Sequence, residues 1–226
     1  MEVAELWRYP VKSLAGERMD ACEMGQRGIP GDRGVAAFEL APHPSQNWRS
    51  ARDVPQLLQF RARLQAGPPE VAGPELDWTP WDQPEVRSAI SERCRREMEL
   101  RSMPGGAFDD SPLLLIHLAT LRSLGQELGA EVDRRRFRAN LYLDGPGIEP
   151  HQEPQLAGRQ IRCGAAVLEV IRGCERCSIT TRDPDTWASW PQLLRHLVWA
   201  HQELVGVYCR VKVEGAITVG DTAELL

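Results

Sequence analysis

Residues 160–181, QIRCGAAVLEVIRGCERCSITT, decide the fold class. Strand candidates follow one another here: Gln160–Cys163, Ala166–Ile171 and Ser178–Thr181. Each is rich in β-branched or alternating apolar residues, and Gly164 and Gly173 punctuate them. No helical pattern separates them. Strand therefore does not alternate with helix, as a doubly wound sheet would require.

The flanks extend the pattern. Downstream, Pro191–Gln202 predicts a helix with Pro191 in its first turn and Leu194, Leu197 and Val198 on one face. Val205–Val213 and Ile217–Val219 are further strands. Upstream lie a strand at Asn140–Leu143 and an apolar strand at Leu113–Leu118. Between them Thr120–Gly129 predicts a helix carrying Leu121, Leu124 and Leu128, with Thr120 as N-cap. Met103–Asp110 reads as a loop, and Pro84–Met98 as a helix with Val86, Ile90 and Cys94 on one face. Gly67–Pro84 reads as loop with one short strand. Asp53–Gln65 fits a strand or a short helix. Val3–Trp7 and Val35–Leu40 are strands, and Gly25, Gly28, Pro30, Gly31 and Gly34 mark tight turns between them. The expectation is a mainly β chain with a few helices (α+β), curved and barrel-like.

Composition bounds the rest. The 226 residues, 42% hydrophobic and 26% charged, fit one large domain or two small ones. A chain this long needs no disulfide staples. Leu113–Leu118, the most apolar run, is far shorter than the ~20 residues of a membrane-spanning helix. Glu2, Glu5 and Arg8 interrupt the first ten residues, where a secretory signal would be apolar, so the expected location is cytoplasmic. A net charge of −5 disfavours a nucleic-acid partner, and no Gly-rich phosphate loop opens a helix. The six cysteines are then expected to be free thiols.

Several segments carry chemistry. Cys174-Glu175-Arg176-Cys177 allows four readings: a redox pair, part of a zinc site, two structural thiols, or one thiolate holding a soft transition metal. A strand places residues three apart on opposite faces, which favours a single functional cysteine. It also turns Arg176 away from Cys177. Arg138 and Asn140, two apart at the start of a strand, would share a face and suit a phosphate or polar heterocycle. Gly31-Asp32-Arg33-Gly34 and Tyr9-Pro10-Val11-Lys12-Ser13 offer similar polar turns. Only Lys12 and Lys212 of the 27 basic residues are lysines. Asp109 and Asp110 fit an acid–base pair, a hard-cation ligand or a turn cap. Histidines 43, 117, 151, 196 and 201 lack metal spacing. His196 and His201 are five apart, not the four of a zinc-binding helix face, and read as structural.

Taken in order, the segments resemble a known family. Tyr9–Ser13, Gly31–Arg33, Phe108-Asp109-Asp110-Ser111-Pro112, Phe137-Arg138-Ala139-Asn140, Cys174–Cys177, Gly206-Val207-Tyr208 and Gly220-Asp221 look like the MOSC proteins, the molybdenum cofactor sulfurase C-terminal domain family. The members concerned carry an N-terminal β-barrel extension. The resemblance implies a β-barrel-like MOSC fold, with residues 1–100 as the N-terminal β-barrel subdomain and 101–226 as the MOSC domain around one cofactor cleft. It implies molybdenum cofactor, a molybdopterin, with Cys177 as protein ligand to the metal. Lys12, Ser13, Arg33, Arg138 and Asn140 match positions that grip the cofactor's polar groups. Thr120 falls in a hydroxyl-bearing turn that suits phosphate. Asp109 or Asp110 would supply protons.

The implied activity is that of an oxidoreductase reducing small N-hydroxylated substrates, amidoximes or hydroxylamines. Electrons would come from a separate ferredoxin-, cytochrome b5- or flavoprotein-like partner, since no plant-type ferredoxin cysteine cluster or flavin motif is present. The rivals are a molybdenum cofactor or sulfur (persulfide) carrier without turnover, and a member that keeps the fold without the cofactor. The chain departs from the family at Ala139, where proline is usual, and at Trp187, where Asp-Pro-x-Thr usually ends in glycine. It also carries Glu175 in place of a small residue, and lacks the Trp that often follows an acidic pair near His151–Pro154.

Overall fold

A computed structural model describes residues 1–41 and 47–226; His43 lies outside them. In chain order the strands and helices are β1 (Glu2–Arg8), β2 (Glu17–Met19), β3 (Ala21–Met24), β4 (Val35–Ala41), β5 (Arg61–Arg63), β6 (Glu70–Gly73), β7 (Leu76–Pro80), α1 (Pro84–Cys94), β8 (Glu97–Ser102), β9 (Leu113–His117), α2 (Leu118–Leu128), β10 (Leu141–Asp144), β11 (Gln160–Cys163), β12 (Ala166–Glu175), α3 (Pro191–His201), β13 (Leu204–Val213), β14 (Gly215–Thr218) and β15 (Ala223–Leu225). The fold is mainly β with three α-helices among the described residues, and its sheets are open rather than a closed barrel.

The chain divides into two compact units. The first comprises Met1–Trp7, Arg18–Pro30 and Asp110–Leu226; the second comprises Arg8–Glu17 and Gly31–Asp109. This spatial division differs from a cut near residue 100, because β1 and β3 pair with strands far along the chain.

The first unit is built on an eight-stranded sheet in the order β15-β11-β12-β13-β9-β10-β1-β2. β9 and β10 are parallel, and α2 lies in the crossover such a pair requires. The neighbouring β9–β13, β11–β12, β12–β13 and β1–β10 pairs are antiparallel. One core gathers Val3, Leu6, Leu113, Leu115, Leu141, Leu168 and Val207. A second gathers Leu114, Ile116, Leu124, Phe137, Tyr142, Leu193 and Leu197. β9 supplies both, since its alternate residues face opposite sides. Buried apolar side chains of this size contribute about 1.5–3 kcal/mol each.

In the second unit, β4 pairs with β8, and β5, β6 and β7 form a small meander. α1 buries Val86, Ile90 and Cys94 in a core with Leu57, Phe60 and Met98.

Several boundaries correct the sequence reading. α1 ends at Cys94, because Arg95 turns left-handed at φ 52°; Met98 belongs to β8. Residues 67–84 hold two strands, not one. Asp53–Gln65 contains both a 3-10 turn at Pro55–Gln59 and β5. α2 starts at Leu118, so its N-cap is His117, whose Nδ1 accepts from the Ala119 amide at 3.3 Å. Thr120 sits inside the first turn instead. On α3 the buried pair is Leu193 and Leu197, while Val198 is exposed. Ser178–Thr181 is a 3-10 turn, not a strand. Its Thr180 and Thr181 hydroxyls donate to the Cys177 and Ser178 carbonyls at 2.8 and 2.7 Å, giving the backbone a local alternative to a ladder. Among the described residues no helix is long and apolar enough to cross a membrane.

Candidate functional site

In the second unit the site candidates begin where Pro10 ends β1. The Lys12 amide donates to the Val35 carbonyl at 2.8 Å, which holds the segment against β4. Ser13 follows in the left-handed region at φ 72°, and its Oγ accepts from the Ala51 amide at 3.0 Å. Lys12 is only 4% exposed. A buried ammonium needs partners, and Nζ donates to the Ala107 carbonyl at 2.7 Å and to Asp109 Oδ1 at 2.9 Å. The Trp48 ring lies 5.2 Å from Nζ. Arg52 Nη2 donates to the same Asp109 oxygen at 3.0 Å. Arg33, also left-handed at φ 51°, pairs with the buried Asp32 carboxylate and lies 5.0 Å from the Tyr9 ring. Asp32 in turn accepts from the Tyr9 amide at 2.7 Å. The cations Lys12, Arg33 and Arg52 thus outnumber the carboxylates Asp32 and Asp109. The surplus positive charge suits an anionic ligand.

Burial alone would raise the Asp109 carboxyl, but Lys12, Arg52 and Arg33 hold it below the ordinary carboxylate range. Asp109 is therefore ionised at neutral pH and orients Lys12 rather than donating a proton. Its ionic contribution to stability is fully present above the unfolded-state value of about 3.9 and disappears as pH falls through the lower folded-state value. Asp109→Asn, which strips the buried ammonium of its carboxylate, is expected to lower the urea midpoint at pH 7. The gap from wild type should close below about pH 4. Equal midpoints at pH 7 would contradict this account.

In the first unit Asp133 caps a 3-10 turn at Arg134–Phe137. Its basic run is spent on acidic neighbours: Arg134 on Glu5, Arg135 on Asp133 and Asp185, Arg136 on Asp183. Arg138 then turns left-handed at φ 56°. It is not extended, so it does not share a strand face with Asn140 as the spacing suggested. Asn140 is 1% exposed. Its Oδ1 accepts from the Leu114 amide at 3.2 Å and its Nδ2 donates to the Trp7 carbonyl at 3.2 Å, tying β9 to β1. Thr120 is fully buried; its hydroxyl donates to Glu153 at 2.7 Å and accepts from the His151 amide at 2.9 Å. Both side chains position backbone.

β12 carries register shifts between Val170 and Arg172 and between Gly173 and Glu175. Such bulges bend a strand and re-aim its side chains. The simple face count for the two cysteines therefore fails. Cys174 is buried at the end of the strand, and Cys177, half-buried, stands at the N-cap of the next 3-10 turn. Arg176 does not point away: Nη1 donates to Cys174 Sγ at 3.0 Å and Nη2 to the Phe137 carbonyl at 2.6 Å. Burial works against its charge, but Cys174, Cys177 and Tyr208 face it and raise its pKa. Its Nε is buried with no hydrogen-bond acceptor. A half-buried free thiol such as Cys177 suits a soft-metal ligand. All six cysteines are free. Asp110 pairs with Arg172 beside the same strand.

Trp187 lies in the left-handed region at φ 60°, a conformation that favours glycine. Asp183 supports that loop by accepting from the Thr186 amide at 2.8 Å. Sequence reasoning missed Trp48 and Arg52, and it turned Arg176 away from the cysteines. The first two lie too far along the chain from Lys12 for spacing to reveal them.

The sequence pattern of the MOSC domain matches residues 102–224, and that of the MOSC N-terminal beta barrel domain matches residues 1–99. Mitochondrial amidoxime-reducing component 1 of Mus musculus is 24% identical over 99% of this chain and 82% of its own length. The Homo sapiens protein of the same name is 28% identical over 52% of this chain and 38% of its own. Among solved structures, the YUAD protein from Bacillus subtilis superposes with a TM-score of 0.54 at 15% identity, covering 99% of this chain and 94% of that one.

Proposed function

From the premise that this chain belongs to the MOSC family, with an N-terminal half matching that family's beta barrel domain, we propose that it is a molybdenum-cofactor-dependent reductase of N-hydroxylated compounds. The observation that carries the reading is the Cys177 thiol: half-buried, free, and next in the chain to Arg176, whose guanidinium donates to Cys174 Sγ. Similarity to amidoxime-reducing component 1 supports the substrate class.

The donor set fits the cofactor. A soft thiolate suits molybdenum. Cys177 is the residue we assign as metal ligand. Lys12, Arg33 and Arg138 are assigned to the cofactor's anionic groups. Ser13 and Asn140 shape the backbone beside Lys12 and Arg138, while Thr120 engages Glu153 and the His151 amide. When bound, the cofactor supplies a two-electron couple. Reduction of an amidoxime to an amidine consumes two electrons and two protons, breaks the N–O bond and releases water. The electrons come from a separate redox protein. Asp110, paired with Arg172, and ionised Asp109 leave solvent as the proton source.

The test is turnover of benzamidoxime by the molybdenum-loaded protein with a chemical reductant. Amidine formation dependent on the protein is expected. Its absence in a fully loaded sample would favour a sulfur carrier, for which Cys177 and Cys22 are the two part-exposed thiols of that unit. Cys163, Cys174 and Cys209 are buried there. A carrier would show a mass gain of one sulfur atom on Cys177.

A further inference from the structure

Three imidazoles of the first unit close on one carboxylate. Glu127 lies in the last turn of α2, His196 and His201 on α3, and His151 in the segment after β10. The His196 and His201 Nε2 atoms stand 2.7 and 2.6 Å from Glu127 Oε2. His151 Nε2 is 3.0 Å from Oε1, and its ring stacks on His201 at 3.7 Å with 11° between the planes. One ligand atom each from Glu127, His196 and His201 lies within 4.8 Å of the others. Among the described residues this is the one such trio of His, Cys, Asp or Glu.

The five-residue spacing of His196 and His201 argued against a metal. On a regular helix it separates side chains by about 140° around the axis. The structure removes that objection. His201 is the final residue of α3, where Gln202 turns left-handed at φ 53°. The two rings meet edge to face, 5.6 Å between centroids. The partner completing the set comes from another helix, which spacing along α3 cannot reveal.

The cluster is overdrawn as a hydrogen-bond group. One carboxylate faces three Nε2 atoms and also accepts from the Ser123 hydroxyl at 3.0 Å. His151 Nδ1 is buried with no hydrogen-bond partner. The imidazoles are mostly shielded, with side-chain exposures of 15–19%. Two nitrogens and a carboxylate oxygen suit Zn²⁺, Co²⁺, Ni²⁺ or Cu²⁺, whereas Mg²⁺ and Ca²⁺ prefer all-oxygen sets. Ligation would place the Nε2 lone pairs on the ion and the ring protons on Nδ1. A fourth position would be left for His151 or water.

We propose that Glu127, His196 and His201, with His151 beside them, bind one borderline divalent transition-metal ion, in a site that uses none of the residues assigned to the molybdenum cofactor. The ion would pin the ends of α2 and α3 and the His151 segment together.

The test uses the full chain, stripped with chelator and then titrated with Zn²⁺ by calorimetry and with Co²⁺ by visible absorption. One equivalent of Zn²⁺ with a dissociation constant of about 1 μM or tighter is expected, with a tetrahedral Co²⁺ band and a raised thermal midpoint. His201→Ala and Glu127→Gln should each weaken binding at least about tenfold and remove the Co²⁺ band. Circular dichroism checks their folding, and His196→Ala replaces either one that fails to fold. Cys177→Ser should keep the equivalent. No saturable binding by wild type would overturn the proposal. So would binding that survives His201→Ala and Glu127→Gln but is lost in Cys177→Ser. Molybdenum content and amidoxime turnover play no part in the readout, so this proposal and the reductase reading fail independently.

Discussion

Cys177→Ala, produced in a host that makes the cofactor, is expected to lose at least about tenfold of the molybdenum bound by wild type, and amidoxime reduction with it. Alanine offers the metal no ligand atom. The change removes little else. Cys177 is half-buried, and its carbonyl, which accepts from Thr180, is retained. The unfolding midpoint should therefore move by no more than about 0.5 kcal/mol equivalent. Cys94→Ala is the control: that thiol is buried in the second unit's core and burial pushes its pKa up to about 11, so it is no thiolate donor. Metal analysis and pterin fluorescence of the purified proteins, side by side, provide the check. Equal molybdenum in wild type and Cys177→Ala would remove Cys177 as the ligand.

Gly206→Ala is expected to be the most destabilising small substitution in the first unit. Gly206 has φ 74°, in the left-handed region. A Cβ there would stand 2.4 Å from Ile116 Cγ1 and 2.6 Å from the Leu115 carbonyl oxygen. Ile116 is fully buried, and the carbonyl belongs to β9, which pairs with β13 at Val207 and Leu115. Neither neighbour can step aside without disturbing the centre of the sheet. Left-handed strain of about 1–2 kcal/mol adds to overpacking of about 1–3 kcal/mol. The thermal midpoint should fall by roughly 5–20 °C, with much of the expressed protein insoluble. A midpoint within about 2 °C of wild type would show that the sheet relaxes around the methyl group.

What was legible in the chain follows the local physics. β11 is found at Gln160–Cys163 as its alternation predicts, because Gly164 turns immediately after it with φ 56°. α3 is legible from Pro191, which suits a first turn. β12 runs four residues past its apolar core to Glu175, since bulges let a strand continue through Arg172 and Gly173. Thr180 and Thr181 misled because β-branching favours strands while their hydroxyls satisfied a tighter turn. Asn140 was recognisable as a polar residue of interest, but its engagement by Leu114 and Trp7 depends on pairing across the sheet. Lys12 stood out as one of two lysines; Ala107 and Asp109, which define its environment, are contributed from almost a hundred residues away. The Glu127 cluster was hidden for the same reason, being assembled from α2, α3 and a connecting segment.

The interleaved path of the chain bears on its birth at the ribosome. β1 pairs with β10, β3 with β14, and the Ala223 amide donates to the Met1 carbonyl at 2.9 Å. The open edge of β1 must therefore wait for β10, and β3 for β14. Residues 31–109, by contrast, form one uninterrupted run that joins only the nearby segment Arg8–Glu17 in the second unit. That unit can thus condense while later residues are still being translated, whereas the eight-stranded sheet is complete only once β15 has been made. Long-range closure is slow, so β3 and the edge of β1 not covered by β2 spend that interval unpaired, the period in which a nascent chain of this design most needs a chaperone.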